Sequence, residues 1–324
     1  MRGKPTWKAS GILWTALLVT ASPLLAPPAL AVEYGFSNYL LGYSIPMSGY
    51  TPPAGVYYQN TFYLYNGSAG RNVQFPFGRV AALGIDLNFT ADIATAAWYT
   101  DTKIFGGTLG FAATVPIIGE RTSVSAAFTG PLGINRQLGT SDSVNSIGDS
   151  AFSAILGWHA GDHHWNLTLT GFTPTGYYRA DALSFTGLNR PALDIKGAYT
   201  FLSLQTGIEL TVAAGTTINA INTQTNYQSG AELHLEYAAS QHLPGGAYVG
   251  VGGYFYQQYT GDSGALVPAI LPFKGRIASV GPMIGYKFKV GSQEVNLAAR
   301  WFHELAAENR VQGDSVFASL SFRL

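Results

Sequence analysis

The chain has 324 residues, 18 of them basic and 18 acidic, no cysteine, and 13% aromatic side chains. Charged residues make up only 11%, against about 25% in a soluble domain, too few to coat a surface of this size without exposing apolar patches. An apolar content of 47% excludes disorder, and a net charge of zero leaves no electrostatic footprint for nucleic acid.

Residues 1–31 read as a secretory signal. Arg2, Lys4 and Lys8 form the positive end, Gly11 to Leu25 is mostly apolar, and Ala29-Leu30-Ala31 sets cleavage near Ala31. The lack of cysteine fits export without a disulfide framework. No later segment approaches the ~20 continuous apolar residues of a spanning helix. In lipid every backbone N–H and C=O must be paired internally, which a closed barrel achieves. The expected fold is all-β: a transmembrane antiparallel barrel in the outer membrane of a Gram-negative bacterium. Its expected partners are outer-membrane lipid and, during biogenesis, the assembly machinery.

Residues 32–79 follow. Tyr50-Thr-Pro-Pro-Ala-Gly55 reads as irregular backbone, tolerated at membrane depth only inside protein. This segment is therefore expected to be a lumenal hatch, with 80–324 forming a barrel of twelve strands. Fourteen strands is the alternative, with two drawn from this segment.

The wall should alternate with period two, apolar toward lipid and polar toward the lumen. Over 83–93 that places Leu83, Ile85, Leu87, Phe89, Ala91 and Ile93 outward, and Gly84, Asp86, Asn88, Thr90 and Asp92 inward. Over 231–239 it places Leu233, Leu235 and Tyr237 outward, and Glu232, His234 and Glu236 inward. Trp165/Leu167/Leu169, Ile208/Leu210/Val212 and Val295/Leu297/Trp301 are outward sets of the same kind. The expected strands are 80–100, 104–116, 119–129, 147–159, 163–174, 191–203, 206–218, 227–241, 244–260, 273–289, 293–307 and 311–324. Short connections at 117–118, 160–162, 204–205, 242–243 and 290–292 fall on the periplasmic side, and long ones such as 130–146 on the outer side. The last strand alternates Val316, Ala318, Leu320, Phe322 and Leu324 to the end of the chain.

Candidate solute-binding residues are inward polar and amphipathic side chains. On strand 244–260 they are Tyr248, Tyr254 and Tyr256, which share a face with Gly250 and Gly252. A Tyr ring with its hydroxyl can hold an aromatic solute weakly. Glu232, His234, Glu236, Asp86, Asn88 and Arg300 complete the lumen set.

Catalytic and metal readings are weaker. Gly261-Asp-Ser-Gly264 copies a protease nucleophile motif, but Gly-Asp-Ser recurs at Gly148 and Gly313 and reads as a turn element. His159, Asp162, His163 and His164 straddle a short turn with no further ligand in view. No catalytic residue, metal or cofactor is expected.

Several stretches resemble a known family: Pro53-Ala-Gly-Val-Tyr57, Gly157-Trp158-His159, Phe172-Thr-Pro-Thr-Gly176, and Ser229-Gly230 with His234. Gln257-Gln258, Thr260-Gly-Asp-Ser-Gly264, Phe273-Lys-Gly-Arg276, Gly281-Pro282, His303-Glu304 and Asn309-Arg310 extend the match over nearly the whole mature chain. The chain is similar to the outer-membrane transporters associated with the meta pathway of phenol degradation, and more closely to their sphingosine-responsive relatives. The resemblance implies an outer-membrane barrel that passes small hydrophobic or aromatic compounds, and it implies no catalytic residues. A general diffusion porin and a lipid-active barrel enzyme are the alternatives.

Overall fold

The computed structural model describes residues 35–69, 75–77, 80–82, 84–129, 135–264 and 274–324. The expected signal segment, 1–31, lies outside the described residues.

Thirteen strands form one antiparallel sheet that closes on itself. In chain order they are β1 (Gly55–Ala69), β2 (Gly84–Ile104), β3 (Gly107–Thr129), β4 (Asn135–Ile147), β5 (Ser150–Ala160), β6 (His163–Thr173) and β7 (Ala192–Leu202). Then come β8 (Ile208–Asn219), β9 (Glu232–His242), β10 (Ala247–Gln258), β11 (Arg276–Val290), β12 (Gln293–Glu308) and β13 (Gln312–Arg323). The ring is sealed where β1 pairs with β13, Tyr57 opposite Arg323 and Ser68 opposite Gln312. Closure satisfies the edge backbone groups that an open sheet would leave unpaired in lipid.

Thirteen strands fill twelve places in the ring, because β4 and β5 share one edge of β3. Ile117–Thr129 pairs with β4, and Thr108–Thr114 pairs with β5. The break falls at Pro116, which has no N–H to offer a ladder. The chain steps around it through a bulge at Gly148–Asp149, whose Gly148 N–H donates to the Pro116 carbonyl (2.8 Å).

The twelve places of the ring agree with the expected barrel of twelve, but the strands that fill them differ in three places. First, Gly55–Ala69 is a wall strand rather than hatch, so the wall begins well before residue 80. Second, the expected strands 104–116 and 119–129 are one strand, β3, extended straight through the expected turn at 117–118 and through Gly119. The actual turn is Phe105-Gly106, both at positive φ (50° and 78°). Phe105 is not a turn-forming residue type, so the sequence carries no signal there beyond Gly106. Third, the expected loop 130–146 contains β4.

The connections at 105–106, 161–162, 203–207, 243–246 and 291–292 are short and lie at one end, the turn end, together with the start of β1 and the end of β13. At the loop end, 174–191 folds inward. Asp149 accepts from the Gly176 and Leu188 amides (2.9 and 2.7 Å), and Asp142 accepts from the Leu183 and Ser184 amides (3.2 and 3.3 Å).

Outward faces follow the expected alternation on most strands. Leu167, Leu169, Leu210, Leu233, Val249, Leu297, Trp301 and Val316 are exposed on the outer surface. β2 does the opposite over its loop-end half. Ile85, Leu87, Ala91 and Ile93 are 1, 2, 3 and 6% exposed and point inward, while Asp86, Asn88, Thr90 and Asp92 are exposed outside. The physical reason is length. β2 and β3 run to 21 and 23 residues, whereas about 9–11 suffice to cross a bilayer. The surplus stands clear of the lipid, so its outer face meets water, with Arg121 of β3 opposite Asn88. Its inner face meets Phe185 and Leu188 of the folded-in loop. Farther down, Ala96 and Trp98 resume the exposed apolar outer face.

Candidate functional site

Residues 35–54 lie inside the ring and descend from the loop end to the turn end. They are held almost wholly by one arc of the wall, β6 to β9 with β12. Near the top, Arg190 donates to the Phe36 carbonyl (3.1 Å), Ser37 to Glu232, and Asn38 to Asn219 (3.3 Å). Tyr39 stacks on His234 with ring centroids 3.6 Å apart. Glu236 accepts from the Gly42 amide (2.9 Å) and from the Ser44 amide and hydroxyl (3.1 and 2.7 Å). Lower down, Glu209 accepts from the Met47 amide (2.8 Å) and Thr200 from the Gly49 amide (3.0 Å). Arg300 donates to the carbonyls of Tyr43 (3.2 Å) and Ile45. An irregular segment inside a barrel has no ladder of its own, so wall side chains satisfy its backbone instead.

Two glycines permit this contact. Gly42 sits at φ 80°, and a Cβ there would come within 2.9 Å of the Phe302 ring. A Cβ on Gly49 would lie 2.5 Å from the Thr200 amide nitrogen.

The opposite arc, β1 to β3, is different. It presents Tyr63, Leu87, Phe89, Ala91, Ile93 and Ile118 to the interior. Its hydrogen bonds to the N-terminal segment run through Tyr43, whose hydroxyl meets Thr95 (3.0 Å) and accepts from Gln59 (3.4 Å), and through Tyr57, which donates to the Pro53 carbonyl at the turn end (2.9 Å). A cavity of about 1600 Å³ runs along this arc, from Phe185 and Leu188 at the loop end to Gln205 and His242 at the turn end.

The residues singled out from sequence divide accordingly. Glu232, His234, Glu236 and Arg300 point inward, but onto the N-terminal segment rather than into open lumen. Tyr254 and Tyr256 also point inward and are buried. Tyr254 donates to Glu304 (3.0 Å), and the Arg310 guanidinium lies 4.3 Å from the centre of the Tyr256 ring. Tyr248 lines the cavity near its lower end. Asp86 and Asn88 do not belong to the lumen, because they lie on the outer face of β2 above the lipid.

Asp194, Glu209, Asn219 and Thr200 were not singled out as site residues. Each lies on the inward parity of its strand, but Glu209, Asn219 and Thr200 hold a distant segment of chain, whereas Asp194 serves its neighbours in the wall. Asp194 accepts from Thr217 (2.8 Å) and faces His234 Nε2 (2.7 Å).

The two catalytic or metal-like motifs have structural roles. Asp262 accepts from the Gly230 amide (2.7 Å) and from Tyr227, pinning an outer connection, and Ser263 pairs with Gln228 in a two-residue ladder. Burial holds the Asp262 carboxyl above the ordinary carboxylate range, against the hydrogen bonds from Tyr227, Gly230 and Gln258 that lower it. His159 and His164 face each other through Nδ1 (2.6 Å), and His163 meets the Tyr199 hydroxyl (2.6 Å). No cluster of three metal-ligating side chains occurs among the described residues.

The profile of the family described as "Putative MetA-pathway of phenol degradation" matches residues 65–320. The chain belongs to this family. Among solved structures it is similar to an outer-membrane channel from Pseudomonas putida F1, at 13% identity and a TM-score of 0.66, covering 86% of this chain and 98% of that one. That likeness shows a shared outer-membrane barrel fold. A Pseudomonas aeruginosa FadL homologue covers 83% of this chain and 89% of its own at 10% identity, with a TM-score of 0.38. A monoaromatic hydrocarbon channel, CymD, covers 83% and 88% at 8% identity, with a TM-score of 0.39. No curated protein sequence matches the chain.

Proposed function

We propose that the protein is an outer-membrane channel that passes small hydrophobic or aromatic molecules. In this reading the signal is cleaved near Ala31, the turn end faces the periplasm, and the loop end faces outward. The observation that carries the proposal is the inward apolar face of β2. Below Ile85, which packs under the folded-in loop, Leu87, Phe89, Ala91 and Ile93 continue downward to Tyr99 along a cavity that reaches both ends of the barrel. A pore for polar solutes gains nothing from such a face. For an apolar ring the gain is roughly 25 cal/mol per Å² covered, so covering about 100 Å² is worth ~2.5 kcal/mol. That is enough to collect a solute from water and weak enough to release it.

Membership of the phenol-degradation family supports the same class of solute. A general diffusion porin is disfavoured because residues 35–54 occupy one side of the lumen along its length. The test is entry into proteoliposomes of benzyl alcohol against a sugar of similar size, each with intact protein and with Ile93→Asp. Benzyl alcohol should enter faster than the sugar, and the substitution should slow it several-fold while leaving the sugar unchanged. Equal entry of the two through the intact protein would refute the proposal.

A further inference from the structure

The charged groups that line the lumen are unequally used. All but one of the acids are fully occupied by the protein itself. Glu236 and Glu209 accept backbone amides of the N-terminal segment, Glu232 accepts from Ser37 and Asn219, and Asp194 accepts from Thr217 and faces His234. Glu304 accepts from Tyr65, Tyr254 and the Gly313 amide (2.9, 3.0 and 2.7 Å), and Asp149 holds two amides of the outer loop. The exception is Glu120, which accepts from Thr122 (2.7 Å) and, close under that loop, keeps one oxygen without a partner among the described residues.

Two cations are not used in this way. Lys196 of β7 lines the cavity at mid-height, with its ammonium 5.7 Å from the centre of the Tyr39 ring. Among the described residues it has no carboxylate within ion-pair distance, although Asp194 and Glu236 are near enough to be felt electrostatically. Arg310, nearer the loop end, also lines the cavity and rests on Tyr256, with Nη1 buried and unpartnered among the described residues. Arg300, by contrast, is spent on the carbonyls of Tyr43 and Ile45. Two open donors along the route are therefore cationic; Lys196 stands on β7, away from the apolar arc, and Arg310 at the β12–β13 connection, next to β1.

Resting on the channel reading above, we infer that the preferred solute is a hydrophobic monocarboxylate. Its apolar body lies on the β1–β3 face, and its carboxylate is taken by Lys196. A neutral hydrocarbon engages only one side of this cavity, while an amphiphilic acid engages both. A charge-assisted hydrogen bond in a site shielded from bulk water is stronger than a neutral one, and an ammonium on a four-carbon stem can follow a passing carboxylate. Arg310, met first from outside, is placed to receive the same head group. The cation over the Tyr39 ring is half-satisfied there and gives up little on meeting an anion.

Three solutes with the same ring and different heads test this: benzoate, benzyl alcohol and benzylamine, at a pH where the first and last are fully charged. Through the intact protein in proteoliposomes, benzoate should enter faster than benzylamine. Lys196→Met should lower benzoate entry about tenfold, leave benzyl alcohol unchanged, and raise benzylamine. Lys196→Arg should restore benzoate, which a purely structural lysine balancing Asp194 and Glu236 would not require to be selective for the anion. Heat-modifiable gel migration checks that each variant is folded, and the benzoate to benzylamine ratio of the intact protein stands even if Lys196→Met fails to assemble. The inference is overturned if benzylamine enters the intact protein as fast as benzoate, or if Lys196→Met slows benzoate and benzyl alcohol alike. Failure of benzyl alcohol to outpace a similar-sized sugar would instead overturn the channel reading itself.

Discussion

β2 and β9 carry the same kind of alternation and use it in opposite senses. On β9, Glu232, His234 and Glu236 face the interior, and Leu233 and Leu235 face lipid. On the loop-end half of β2, Ile85, Leu87 and Phe89 face the interior, and Asp86 and Asn88 face out. A period of two says that a strand has two unlike faces. It does not say which face meets which solvent. β9 crosses the lipid and offers its polar face to a segment rich in unsatisfied backbone amides. The upper part of β2 stands in water and offers its apolar face to a solute path. The two arcs of one wall thereby divide the work, one holding the N-terminal segment and the other leaving a way past it.

The largest expected effect lies on the outer faces. An arginine on the lipid face costs roughly 2–4 kcal/mol near the midplane. Leu235→Arg should therefore block assembly, seen as loss of the heat-modifiable folded band. Asn88→Arg, at a position of the same sequence pattern, should fold normally. Equal folding of both would break the distinction drawn between the two strands.

A smaller effect is expected on the inner faces. Glu236→Ala leaves the Gly42 and Ser44 amides without an acceptor, and each buried unpaired donor costs about 1–3 kcal/mol. The N-terminal segment should then loosen, giving larger and noisier single-channel currents. Ile93→Ala, on the other arc, should leave the baseline current steady because no hydrogen bond to the segment is lost. Steady currents in both variants would show that the segment is held by something other than the polar arc.

The smallest effect concerns the connection above β9, where Asp262 pins Gly230. With its carboxyl held above the ordinary range by burial, the folded connection retains a proton where an open one has lost it. The stabilising contribution is fully present below the usual value near ~4 and is lost as pH rises through the raised one. Exchange of the Gly230 amide should quicken modestly over that interval, and Asp262→Asn should remove the dependence.

The alternation, the turn glycines at Gly161, Gly245 and Gly291, and the alternating last strand are local properties, and they determined the barrel and the lipid-facing sets on β6, β8, β9 and β13. The inward parity of Glu232, Glu236, Tyr254 and Tyr256 was equally legible, because it follows from neighbours two residues away. Three things were decided only by tertiary structure. Gly55–Ala69 became wall because β13 and β2 offered it ladders on both edges, and no residue within it announces those partners. β2 turned its apolar face inward because its surplus length clears the lipid, a matter of height in the membrane rather than of pattern. The inward acids became anchors because a segment some 150 to 200 residues earlier in the chain brings its amides to them. Period and turn chemistry act over a few residues, whereas solvent, height and distant donors are set by where the closed ring places each strand.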